Sequence, residues 1–128
     1  AALSVVRMFR PNVSAAKLFR HIQPDECWGT DTPALRRGLR ECGVGSSVRR
    51  DLTFAKIQAS IFAGFPIIAL TKTTLSETWH WVVIYGAGRR PNRVFVSGYH
   101  LLRSTLFYWP EFRAKWADPG FGIVCWGL

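Results

Sequence analysis

The chain has 128 residues, of which 48% are hydrophobic, including nine Phe and six Trp. That is the size of one ordinary domain with enough apolar material for a real core, and it excludes a disordered chain. Seventeen Lys and Arg face eight Asp and Glu, a net charge of +9 without a long basic run; the charge favours anionic partners in general, and a dedicated nucleic-acid surface is the lesser reading of it.

Three Cys at irregular spacing make no disulfide framework. No Cys-rich or His-rich cluster points to a metal, and nothing calls for a cofactor. The uncharged stretch from Ala59 to Thr71 is too short to cross a bilayer and contains Pro66. The whole of residues 1–128 reads as one domain.

Ala1 to Phe9 carries apolar side chains on nearly every side, which predicts a helix buried in a core. No capping residue stands ahead of it, so the expectation is that this helix begins upstream of Ala1. Arg10-Pro11-Asn12 breaks the chain. Ser14 caps a second predicted helix from Ala15 to about His21, and Gln23 to Asp31 reads as a loop with Cys27 in it. Thr32-Pro33 starts a third, with Ala34, Leu35, Gly38, Leu39 and Cys42 on its apolar face and Gly43 as its stop. Arg36, Arg37 and Arg40 fall off that face.

Val44 to Arg50 reads as a short edge strand. Asp51 or Thr53 opens another helix with Phe54, Ile57, Ile61 and Phe62 as its buried stripe, ended by Gly64. Pro66 to Leu70 is an interior strand. Trp79-His80-Trp81-Val82-Val83-Ile84-Tyr85-Gly86 is crowded with aromatic and β-branched residues and is a strand covered on both faces. Alternation places His80, Val82 and Ile84 on one face and Trp79, Trp81, Val83 and Tyr85 on the other. His80 follows a polar loop at the mouth of this strand, a position suited to proton transfer; a histidine held by packing and one hydrogen bond is the competing reading. Gly86 to Asn92 makes a hairpin-like connection and Arg93 to Ser97 returns as a strand. Beyond it the chain is less regular, with a short helix over Pro110 to Trp116 and a closing strand over Phe121 to Trp126. Helices first and antiparallel strands later predict an α+β domain.

The series of elements resembles the peptidase C39-like branch of the papain-like cysteine peptidases. Ala1 to Phe9 is similar to the helix that follows the family's Cys-Gly. Gly64-Phe65-Pro66-Ile67-Ile68-Ala69-Leu70 is similar to its helix–Gly–Pro–strand step. His80 to Gly86 is similar to the strand of the catalytic histidine, and Val94-Phe95-Val96 to the strand bringing the orienting acid. The resemblance covers residues 1–97 and implies a papain-like fold, helices packed against a small antiparallel sheet. It implies cleavage of a peptide amide in a peptide or protein substrate, by a Cys nucleophile, a His base and an orienting Asp or Asn. Carried over, His80 is the base, and Ser97 stands where the orienting Asp is expected. The family Cys falls about three residues before Ala1, by that resemblance. Little or no peptidase activity is therefore expected of these 128 residues alone. Cys27, which precedes Trp28-Gly29, is an alternative nucleophile; Cys42 and Cys125 read as structural. A catalytically inactive module that binds a peptide or protein is the alternative function, and a basic nucleic-acid-binding domain the second.

Overall fold

The computed structural model describes residues 2–12, 32–72, 79–100 and 103–128. Among these, the elements run α1 (Ala2–Phe9), α2 (Thr32–Glu41), β1 (Val44–Arg49), α3 (Phe54–Phe62), β2 (Ile67–Lys72), β3 (Trp79–Gly88), β4 (Arg93–His100), β5 (Arg103–Tyr108), α4 (Trp109–Lys115) and β6 (Gly122–Gly127). The strands hydrogen-bond in the order β1-β6-β2-β3-β4-β5. The chain is α+β, as the sequence predicts. The second predicted helix, the loop from Gln23 and Cys27 lie outside the described residues.

The chain divides into two compact units. The larger is Ser47–Val124. Its centre is β2 against β3, antiparallel from Ile67↔Ile84 to Lys72↔Trp79, with β4 on the far side of β3 and β5 beyond it, both antiparallel. Ile67 and Ile68 of β2 also pair with Val124 and Ile123 of β6. One face of these strands presents Ile67, Ala69, Val82, Ile84, Val94 and Val96, and packs with Phe54 and Ile57 of α3 and Phe112 of α4 in one core.

Both helices of this unit start and stop where their end groups are satisfied. Thr53 caps α3, its hydroxyl accepting from Lys56 N at 3.3 Å. The helix closes as a Schellman turn, with Phe65 N donating to Ser60 O and Gly64 N to Ile61 O. Pro110 lies in the first turn of α4, and Glu111 reaches back to accept from Tyr108 N at 3.3 Å.

The smaller unit is Ala2–Ser46 with Cys125–Leu128. Leu35, Gly38, Leu39 and Cys42 are buried, the face expected of α2, while Arg36, Arg37 and Arg40 are exposed. Leu128 N donates to Gly43 O at 3.0 Å, and Arg10 Nη2 donates to Leu128 O at 2.7 Å.

Three expectations need correction. Helix α1 is not buried all round: Val5 and Val6 are fully buried and Phe9 is half-buried, but Ser4, Arg7 and Met8 are exposed, so from Ser4 onward one side of the helix does the packing. Phe62, placed in the buried stripe of α3, is 75% exposed, and Gln58 is buried in its stead. Phe62 is the last residue of the helix, where the chain turns off the core. The chain beyond β4, expected to be less regular, holds strand β5; its alternation of exposed Ser104, Leu106 and Tyr108 against buried Phe107 carries an apolar residue on the outer face, which blurs the period-two signal.

Candidate active site

Strand β3 is covered only in its middle. Val82, Val83 and Ile84 are buried on both faces, whereas Trp79 is 62% exposed and His80 is exposed. The apolar run holds the strand in the sheet and delivers the imidazole to solvent at its first turn out of the core. Two backbone anchors fix that end. His80 sits opposite Thr71 of β2, and the buried Thr71 hydroxyl donates to His80 O at 3.2 Å.

The ring itself is held from β4. His80 Nε2 lies 2.8 Å from Gly98 O. A carbonyl oxygen only accepts, so Nε2 carries the proton. In the neutral ring Nδ1 is then a lone-pair acceptor, available as a base. Gly98 has φ +96°, a conformation that glycine adopts without the cost a Cβ would bring. The sequence singled out no such partner, because a backbone carbonyl leaves no side-chain signature; the glycine after Ser97 is the one hint.

Ser97 is placed elsewhere. It pairs with Val83, and Val96 with Ile84. Directly opposed residues of an antiparallel pair share a face. Ser97 therefore belongs to the face of Trp81 and Val83, and His80 to the face of Val82 and Ile84. The register brings the Gly98 carbonyl to His80 and carries the Ser97 hydroxyl to the other side of the sheet. The side-chain contact that the described residues give the His80 ring is thus with the Gly98 carbonyl, and no carboxylate among them pairs with it.

Two thiols are sorted by burial. Cys42 and Cys125 are 4% and 0% exposed. Burial pushes the Cys125 thiol up from its ordinary value of 9.0 to about 12, so it is protonated at neutral pH and a poor nucleophile. The neighbourhood of β3 is aromatic: Trp81 and Phe121 lie 6.4 Å apart between centroids, and Arg50 stands 5.2 Å over the Phe121 ring. Among the described residues, no three of His, Cys, Asp and Glu come together as a metal site, and no helix is long and apolar enough to cross a membrane.

Against solved structures, the peptidase domain of Streptococcus ComA, a bi-functional ABC transporter involved in a quorum sensing pathway, aligns over 100% of this chain and 89% of its own at a TM-score of 0.72 and 17% identity. The fold is that of the C39 peptidase domains. A Bacillus anthracis protein assigned as a C39-like peptidase covers 97% of this chain and 84% of its own at 0.71 and 12% identity. The peptidase domain of Streptococcus mutans ComA gives 0.55 over 84% of this chain and 83% of its own, at 13% identity. No family model and no curated protein matches the sequence. The C39-like resemblance read from the order of elements thus holds at the level of the fold, while identity this low leaves the chemistry to be argued from the residues.

Proposed function

We propose that this C39-like chain is a cysteine-peptidase-type domain acting on a peptide amide within its full-length protein, with His80 as general base and a papain-like packing of helices on the sheet. The observation that carries the reading is His80: solvent-exposed, anchored through Nε2–H to Gly98 O, with Nδ1 left as the proton acceptor. In this scheme Nδ1 takes the thiol proton and the thiolate attacks the amide carbon. The tetrahedral intermediate collapses, the C–N bond breaks, and the imidazolium returns its proton to the leaving amine. Water, deprotonated by the same nitrogen, then hydrolyses the thioester.

The nucleophile is not Cys42 or Cys125, which are buried. By the C39-like resemblance, which sets the nucleophile ahead of Ala1, residues 1–128 alone are expected to have little or no peptidase activity. The test is labelling by a peptide aldehyde and a thiol-reactive amide, on this chain and on the longer gene product, each with Cys27→Ala and with His80→Ala. Labelling of the longer product alone, lost with His80→Ala, is the expected result. Strong labelling of the short chain that disappears with Cys27→Ala would move the nucleophile to Cys27 and overturn the scheme.

A second reading is a domain that binds a peptide or protein without cleaving it. It is favoured by the Gly98 carbonyl, which gives His80 a dipole where a carboxylate would give a full negative charge to an imidazolium. A longer product that carries no labelled thiol would favour it, and retention of an uncleaved peptide by that product would establish it. Nucleic-acid binding rests on the +9 charge alone; absence of retention of DNA or RNA in filter binding at low salt removes it.

A further inference from the structure

The described residues of the smaller unit carry a concentration of positive charge. Its described residues hold five arginines and one acidic residue, Glu41. Three of the arginines, Arg36, Arg37 and Arg40, line a cleft of about 530 Å³ together with Gly45, Ser46, Trp126 and Leu128. Arg36 and Arg40 are four apart on α2 and Arg37 and Arg40 three apart, so the three guanidinium groups crowd one side of a single helix. Like charges at that spacing each cost a few tenths of a kcal/mol. The carbonyl end of α2 offsets only the part nearest Arg40. None of the three pairs with a carboxylate among the described residues.

The cleft is also built. Arg36 is held on one edge, Nε donating to Ser46 Oγ at 3.1 Å and Nη2 to Ser46 O at 3.0 Å. That fixes the plane of its fork and leaves the Nη1 protons to a ligand. The floor is Gly45, buried under the Trp126 indole; a Cβ at Gly45 would lie inside the indole ring system. Trp126 is half-buried and Leu128 is exposed, so an apolar wall stands beside the three cations.

We infer that this cleft is an exosite for an acidic peptide segment, seating a carboxylate side chain on Arg36, Arg37 and Arg40 and a neighbouring apolar side chain against Trp126 and Leu128. A guanidinium fork matches a carboxylate in a bidentate contact. The apolar wall selects an anion with a hydrocarbon body over a bare inorganic one. Three cations gathered in one short cleft suit one or two acidic side chains, whereas a nucleic-acid strand needs a track of charge along its backbone. The choice of a peptide rests on the peptidase-type reading above; the cationic cleft does not.

The test is fluorescence anisotropy of a labelled hexapeptide of alternating glutamate and leucine on the 128-residue chain, in 50 mM and 150 mM salt. Arg37→Gln with Arg40→Gln is expected to raise Kd at least about tenfold, a change of about 1.4 kcal/mol. Gly45→Ala, which displaces the indole with all arginines in place, is expected to weaken binding as well. Arg113→Gln, an exposed cation of α4, serves as the control and leaves Kd within about twofold. Replacing glutamate by glutamine in the peptide abolishes binding. Equal affinity for the glutamine peptide, an unchanged Kd in the double variant, or tighter capture of a single-stranded oligonucleotide through the same arginines overturns the inference. Thiol labelling that depends on His80 and persists in the arginine variants separates a failed exosite from a failed peptidase-type reading.

Discussion

His80 on β3 and Gly98 on β4 are joined through Nε2–H and a main-chain carbonyl at 2.8 Å. The bond fixes the ring's tautomer and its direction without contributing a charge. A carbonyl dipole holds a neutral imidazole well and an imidazolium less well than a carboxylate does. The pair is therefore a positioning device first.

The neutral imidazole of His80 is expected to be the Nε2–H tautomer. Long-range ¹H–¹⁵N spectra of the folded chain report this directly, and a dominant Nδ1–H form would show that the Gly98 contact does not hold in solution. Gly98→Ala tests the same contact from the other side. The nearest atoms to an added Cβ are Trp81 O at 3.6 Å and Val82 Cα at 3.7 Å, so there is room for it. The strain lies in φ +96° alone, and a loss of about 1–2 kcal/mol in urea unfolding is expected, with a shift of the His80 ring nitrogens.

Ser97→Ala and His80→Ala are expected to behave differently in a chain extended ahead of Ala1 by the Cys-Gly of the C39-like pattern. The first changes the rate of labelling less than about twofold, since the half-buried Ser97 pairs with Val83 on the face of β3 away from His80. The second removes the proton acceptor and suppresses labelling. Equal losses in the two variants would mean that the strand register derived from Val83↔Ser97 is not the one that operates.

The sequence showed the fold wherever one face of an element was apolar and its ends were marked. Thr53, Gly43 and Gly64 set helix limits through hydrogen bonds that any chain with those residues can make. The β3 strand announced itself by composition. What escaped was information held in pairing. The partner of His80 follows from whether β4 meets β3 in one register or in one shifted by a residue, and such a slip moves every side chain to the other face. Gln58 shows the same limit. It stands outside the stripe expected of α3, yet it is 5% exposed and accepts from Arg89 Nε at 2.6 Å, a residue 31 positions away.

Phe112 is expected to be the most costly single truncation in the larger unit. It is fully buried and touches three aromatic neighbours, with centroids 5.3 Å from Trp116, 5.9 Å from Trp109 and 6.2 Å from Phe107. Trp116 is locked in turn by its indole N–H donating to Phe121 O at 3.0 Å, so the cluster cannot easily collapse into the space. Phe112→Ala should lower stability by about 3–5 kcal/mol, read from the shift in urea midpoint at constant slope. A loss below about 1 kcal/mol would mean that the aromatic cluster is not the keystone of α4.

Cys125 gives the pH-dependent prediction. Its thiol is raised by burial from 9.0 to about 12 in the folded chain. Below the unfolded value both states are protonated and the group is neutral in its effect on folding. Above it the unfolded thiol ionises while the folded one does not, so the unfolded state binds fewer protons and stability falls as pH rises. The fall begins near pH 9 and continues towards about 12, at a limiting slope of about 1.4 kcal/mol per pH unit for this one group. Lysines and tyrosines titrate in the same range, so the comparison is with Cys125→Ala, whose stability at neutral pH is lower but whose alkaline slope is shallower by the cysteine's share. In a Cys27→Ala background the native chain should react with a disulfide reagent at pH 8 far more slowly than the chain unfolded in urea. Rapid native reaction at Cys125, or an alkaline slope unchanged by Cys125→Ala, would show that the thiol is reached by solvent.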